Sequence, residues 1–273
     1  MHLPDEVKYM IEQYDIDVKE LMNFASNNVI TQDIVVNYIK EKYYPRIKEV
    51  KKLSYLRKVI SSKLSDSYRT AVHVTLFKAV NAEALIASRE KVSNILGVKV
   101  PLTFMLLKPL AKVLKDSIFN AEFRGEDQFI IYDDVNIAIA VQTKNGLFTP
   151  VIRRVTEKDL KTLLEEYRDI VTRAQNAKLK QKDLVGATFT VTNLGMYDVD
   201  FFTQIINPPQ VAILGVGKIQ ERLTLTPDNG IRSIKVMYIS LSFDHRIADG
   251  AEAAMFLKKL SEELENLNIE TLV

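Results

Sequence analysis

The run Val236-Met237-Tyr238-Ile239-Ser240-Leu241 has the length and β-branched content of a buried strand, and it leads directly into Ser242-Phe243-Asp244-His245-Arg246-Ile247-Ala248-Asp249-Gly250. An amphipathic helical pattern begins near Ala251. A strand, a tight polar corner and a helix in that order commit the C-terminal part of the chain to an α/β arrangement. The corner holds one of only three His in 273 residues, between two Asp and an Arg. Histidine is the side chain that ordinarily titrates closest to neutrality, so His245 is a candidate general base. The same residues also suit a plainer role, with the Asp residues capping the next helix and His245 an ordinary corner residue.

From Leu53 onward strand and helix signals alternate. Helical patterns are expected at Tyr55 to about Asp66, Ala82 to Val92, Leu102 to Ile118, Glu157 to about Leu179 and Ala251 to about Leu264. Strands are expected at His73 to about Val80, Phe129-Tyr132, Val135-Gln142, Ala187-Thr192, Val211-Gly217 and Ile234-Phe243. Interleaved elements of this kind give an α/β sandwich on a mixed sheet. Gly215-Val216-Gly217-Lys218 lacks the glycine spacing and the Ser or Thr after Lys that a phosphate loop requires, and reads as a strand end. His73 lies on an alternating strand and reads as a packed structural residue.

Composition narrows the chemistry. With 47% hydrophobic residues the chain can bury a sizeable core, and a net charge of +2 offers no general affinity for nucleic acid. Cys is absent, which rules out disulfides, thiolate metal sites and a Cys nucleophile. No apolar run approaches the roughly 18 residues of a membrane-spanning helix, and Met1-His2-Leu3-Pro4-Asp5 has no basic-then-apolar signal pattern. A soluble cytoplasmic protein is expected, without a metal.

Three regions are distinguished by charge and pattern. Residues 1–41 carry three Lys against eight acids, a net of −5, and read as two short helices, Asp5 to about Tyr14 and Gln32 to about Lys40, with Thr31 as N-cap of the second. Residues 42–52 read as a basic linker, and residues 53–273 as the main domain.

The corner D-H-R-x-x-D-G resembles the active-site signature of the acyltransferase component of 2-oxo acid dehydrogenase complexes, a family of chloramphenicol acetyltransferase-like fold. Four further segments carry the same resemblance in the same order: Leu53 to Ile60, Gly146-Leu147-Phe148-Thr149-Pro150-Val151-Ile152, Gly186 to Met196, and Ile206-Asn207-Pro208-Pro209-Gln210. The N-terminal region is similar to the family's peripheral subunit-binding module in spacing, from Ile16-Asp17 to Ile30-Thr31. Its residue types differ, with Asn27 and Asn28 at usual glycine positions and Val29 at a usual Arg.

The resemblance implies acyl transfer between dihydrolipoamide and coenzyme A, with His245 as base and Thr192 as oxyanion donor. It further implies that Asp249 bonds Arg57 to brace the corner and that Asn193 helps orient substrate. The active unit is expected to be a homotrimer with sites shared between chains, joined into a cage through the apolar tail Leu267 to Val273. No lipoyl-attachment pattern is found, so a separate lipoyl-bearing protein is expected to supply that group in trans. Dehydrogenase components are candidate partners, but an acidic module is poorly suited to the acidic surface of dihydrolipoamide dehydrogenase. No nucleic-acid or membrane partner is expected. Two other readings stay open: a cage-forming scaffold of little activity, and a coenzyme A-dependent acetyltransferase acting on a free small molecule.

Overall fold

The computed structural model describes residues 3–25, 29–125, 127–227 and 229–269. The chain divides into two compact units, Met1–Ser54 and Tyr55–Val273. Asn27, Asn28, Leu272 and Val273, which figured in the expectations for the module and the tail, lie outside the described residues.

The first unit contains α1 (Asp5–Gln13), α2 (Val18–Phe24) and α3 (Gln32–Tyr43). The sequence pattern predicts α1 and α3 but not α2, whose seven residues, about two turns, leave too short a period to detect. Asp17 starts it by accepting the Lys19 N–H at 2.7 Å, and Thr31 starts α3 by accepting that of Ile34 at 3.4 Å. Val7, Ile16, Leu21, Ile30, Val35, Tyr38 and Ile39 form the unit's own small core. Helix α3 runs through Tyr43, so Lys42 belongs to its last turn and not to a linker. There Lys42 reaches back to Glu20, which also accepts the Tyr38 hydroxyl at 2.5 Å. Val29 is exposed.

The second unit runs α4 (Tyr55–Thr70), β1 (His73–Asn81), α5 (Glu83–Leu96), α6 (Leu102–Leu114), β2 (Ala121–Arg124), β3 (Gln128–Ile131), β4 (Ile137–Ile139), β5 (Val141–Thr143), β6 (Gly146–Phe148) and β7 (Val151–Ile152). It closes with α7 (Leu160–Gln175), β8 (Phe189–Asn193), β9 (Ala212–Leu225), β10 (Ile231–Asp244) and α8 (Gly250–Glu265). Among the described residues the main sheet has the order β1-β10-β9-β8-β4-β7. β8 pairs parallel with β9 and with β4, and the other neighbours are antiparallel. The expected mixed-sheet α/β architecture is therefore the one observed.

One face of this sheet is apolar and packed. Val191, Leu214, Val216, Ile239, Leu241 and Phe243 are buried from the strands, and α6 and α8 add Phe104, Leu107, Phe256 and Leu260. Each large side chain removed from water contributes about 1.5–3 kcal/mol, so this face dominates the stability of the unit. The other face is polar, with Thr75 on β1, Ser240 and Ser242 on β10 and Thr190 and Thr192 on β8.

Several boundaries shifted for identifiable reasons. Asp159 caps α7 by accepting the Thr162 N–H at 2.8 Å, so the helix begins at Leu160 and not at Glu157. The 146–152 segment is two short strands, β6 and β7, separated at Thr149-Pro150. β9 continues eight residues past Gly217 because it forms a long hairpin with β10, on which Leu223, Leu225 and Ile231 stand exposed. That exposed extension lacks the apolar run by which a buried strand is recognised.

Candidate active site

His245 follows the last residue of β10. Its backbone N–H donates to Val72 O at 2.9 Å. The Val72 N–H in turn donates to Asp244 Oδ1 at 3.2 Å. Asp244, only 2% exposed, also accepts from Arg246 Nε at 3.0 Å and Nη2 at 2.6 Å, and from the Arg246 N–H. Burial pushes the Asp244 carboxyl up, but the Arg246 side chain and the backbone N–H groups of Arg246 and Val72 outweigh it and hold the group below the usual carboxylate range. The Arg246 guanidinium lies over the Phe123 ring at 4.1 Å. Asp244 and Arg246 thus clamp the corner.

The imidazole of His245 stacks on Phe243, with ring centroids 5.8 Å apart, and is 39% exposed. Its Nδ1 stands 3.8 Å from Asp249 Oδ1, which leaves the Nε2 side of the ring turned away from that carboxylate. Asp249 also opens α8, where its N–H donates to Glu252 Oε2 at 2.8 Å. The remaining supporting residue, Arg57, lies on exposed α4, on the wall of a cleft formed with Ile60, Leu64, Tyr68 and Ile205. It is about 20 Å of helix from Thr70, the end of α4 that leads to Val72 and the His245 corner.

Thr192 sits half-buried near the end of β8, level with Gly215 on β9 and through it with Ser240 on β10. The following residue, Asn193, donates Nδ2 to Thr103 Oγ1 at 3.0 Å and accepts the Gly195 N–H at 2.8 Å. Those bonds hold the turn after Thr192.

The structure does not bring Thr192 and His245 together within one chain. His245 lies five residues beyond Ser240 and two strands away from β8, which at about 3.4 Å per residue and 4.8 Å per strand separates them by roughly 15–20 Å. A base and an oxyanion donor acting on one carbonyl must each come within about 3 Å of the reacting atoms.

His73 is structural, as expected. Its Nε2 accepts the Ile206 N–H at 3.1 Å, which leaves Nδ1 to carry the proton toward Ala71 O at 3.1 Å. Both ring nitrogens are committed to the backbone. Sequence reasoning missed the polar group Thr75, Gln204, Ser240 and Ser242 beneath the 199–206 loop, because it is assembled from three separated segments. Only the two glycines of Gly215-Val216-Gly217 hinted that something approaches the strand there.

Residues 45–272 match the family 2-oxoacid dehydrogenases acyltransferase (catalytic domain). The chain belongs to that family. It is 35% identical to the mitochondrial dihydrolipoyllysine-residue acetyltransferase component of the pyruvate dehydrogenase complex of Dictyostelium discoideum, over 78% of this chain and 34% of that protein. It is 31% identical to the dihydrolipoyllysine-residue succinyltransferase component of the 2-oxoglutarate dehydrogenase complex of Buchnera aphidicola, over 96% of this chain and 70% of that one. The chain thus spans about a third of the first relative's length. Among solved structures, the cubic core of a pyruvate dehydrogenase multienzyme complex superposes with a TM-score of 0.78 at 33% identity, covering 85% of this chain and 97% of that chain. No helix among the described residues of this acyltransferase-family chain is long and apolar enough to cross a membrane.

Proposed function

We propose that this chain transfers an acyl group between coenzyme A and a dihydrolipoyl group, and that it forms the oligomeric core of a 2-oxo acid dehydrogenase-type complex. The observation that carries the reading is the His245 corner. A half-exposed imidazole is locked from behind by Val72, Asp244 and Arg246, with a carboxylate beside Nδ1 and the other nitrogen available.

In this reading His245 Nε2 takes the proton of the attacking thiol as its sulfur bonds to the thioester carbonyl carbon. The thiolate is the reactive form, so a base in place raises the rate where a free thiol would be slow. The carbonyl oxygen becomes an oxyanion that accepts a hydrogen bond from Thr192. Collapse breaks the original carbon–sulfur bond, and the proton on His245 passes to the departing sulfur. Asp249 steadies the imidazolium, and Asn193 holds the turn that carries Thr192; Arg57, at the far end of α4, does not reach Asp249 of its own chain and would brace it only from a neighbouring one. Coenzyme A is a substrate, and the lipoyl group arrives on a domain outside residues 1–273.

The 15–20 Å between Thr192 and His245 supports a site completed by a neighbouring chain, one subunit giving the base and the next the donor. A homotrimer satisfies this for three equivalent sites, and the likeness to a cubic core supports assembly of trimers into a cage. The acidic module at residues 1–41 is assigned to a basic surface, either that of a partner or the Lys42–Lys52 segment of its own or a neighbouring chain.

The test is thiol release from acetyl-CoA and from succinyl-CoA with dihydrolipoamide as acceptor. Turnover by the wild type that is lost in His245→Ala supports the reading. Absence of transfer from both donors by correctly assembled protein overturns it and leaves a scaffold or a coenzyme A-dependent acetyltransferase acting on a free small molecule.

A further inference from the structure

The loop 199–206 crosses the polar face of the sheet at the level of Thr192, and two glycines make room for it. A Cβ on Gly215 would lie 1.7 Å from Gln204 Nε2 and 2.5 Å from Ser240 Oγ. One on Gly217 would lie 1.7 Å from the backbone oxygen of Asp200. Gly215 is paired with Thr192 on one side and with Ser240 on the other, so the three form one row whose side chains share a face. The carboxamide of Gln204 occupies the empty middle place of that row, where a side chain on Gly215 would stand beside Thr192.

That carboxamide is pinned on all sides. Nε2 donates to Phe202 O at 2.8 Å and to Ser240 Oγ at 2.5 Å, while Ser242 Oγ donates to Oε1 at 2.8 Å. A hydroxyl has one proton. Ser242 Oγ must therefore accept from Thr75 Oγ1 at 2.8 Å and from the Gln204 N–H at 3.2 Å. Gln204 is 8%, Ser240 1% and Ser242 0% exposed. A buried network with every member satisfied is rigid, so the amide cannot turn without breaking several bonds at once.

We propose that Gln204 is a positioning residue for acyl transfer, filling the place beside Thr192 that Gly215 leaves vacant and so fixing the aim of the Thr192 hydroxyl. The inference rests on Thr192 being the oxyanion donor. Such a donor acts only when held in line with the developing charge, and small misplacements cost rate steeply.

The experiment measures kcat and KM of the full chain with acetyl-CoA and dihydrolipoamide for Gln204→Met, which keeps bulk and removes the bonds, and for Gln204→Ala. Each is made alone and in a Thr192→Val background, with melting temperature and particle mass as controls. Alone, each should lower kcat by roughly 10- to 10²-fold with KM for both substrates within about twofold of wild type. In the Thr192→Val background neither should lower kcat further, because Gln204 acts through the hydroxyl that is already gone. Wild-type kcat in both variants overturns the inference, as does an equal loss in both backgrounds or a change confined to KM or melting temperature. If neither variant folds, Gln204 is a packing residue and the inference also fails. Should Thr192→Val itself keep wild-type kcat, the oxyanion assignment falls first, whereas a costly Thr192→Val beside silent Gln204→Met and Gln204→Ala removes only the role of Gln204.

Discussion

His245 and Val72, 173 positions apart, are joined backbone to backbone, the His245 N–H donating to Val72 O at 2.9 Å. Val72 returns its own N–H to Asp244, the residue before His245, so the residue leading into β1 grips the corner from both sides. A candidate base held in this way has its backbone position set by the sheet and not by the mobility of a loop, which suits general-base catalysis at a fixed distance.

Replacing His245 by Ala removes the ring and leaves the backbone grip. Acyl transfer should fall by roughly 10²–10⁴-fold, with circular dichroism and particle mass unchanged. Wild-type turnover in a well-folded His245→Ala protein would remove the base from the mechanism.

Thr192→Val keeps the β-branched shape on β8 and deletes the hydroxyl. The turnover number should drop by up to about 10²–10³-fold while KM stays near its wild-type value. A raised KM with unchanged kcat would move Thr192 to ground-state binding.

The distance between those two residues makes a third outcome specific. Inactive His245→Ala and Thr192→Val chains, mixed during assembly, should regain part of the activity, since some sites then combine an intact base with an intact hydroxyl. Verified mixed assemblies that stay inactive would place the whole site within one chain.

The Asp244 clamp carries a pH signature. Its carboxyl titrates below the usual range in the folded chain, so the stability it contributes is present above the unfolded value of roughly 4 and is lost as pH falls through the lower folded value. Asp244→Asn should destabilise the fold at pH 7 by about 1–3 kcal/mol, the cost of losing charged hydrogen bonds at a buried site. The gap from wild type should close toward pH 3, as followed by denaturant midpoints at both pH values. An equal gap at both would assign the effect to shape and not to charge.

The N-terminal unit offers a separate test. Residues 1–41 bear a net charge of −5, so binding to a basic partner surface should weaken as salt rises from about 0.05 to 0.5 M. Tight, salt-insensitive binding to an acidic-surfaced dihydrolipoamide dehydrogenase, unchanged by reversing Lys8 and Lys19, would show that charge does not select the partner.

What the chain revealed by itself was local. Period-2 apolar runs placed β1, β8 and the C-terminal half of β10, the capping residue Thr31 stands where α3 starts, and the corner around His245 offered a candidate base. These signals are legible because each depends on residues within one or two turns of one another. Helix α2 and the exposed half of the β9–β10 hairpin were not legible, because neither is long enough or buried enough to impose a period. Tertiary structure alone decided that Val72 grips His245, that Gln204 fills the place left by Gly215, and that Thr192 stands too far from His245 to share a substrate within one chain. The physical reason is pairing register: periodicity tells which face of a strand is buried, but which residues of distant strands stand level is set only when the strands hydrogen-bond.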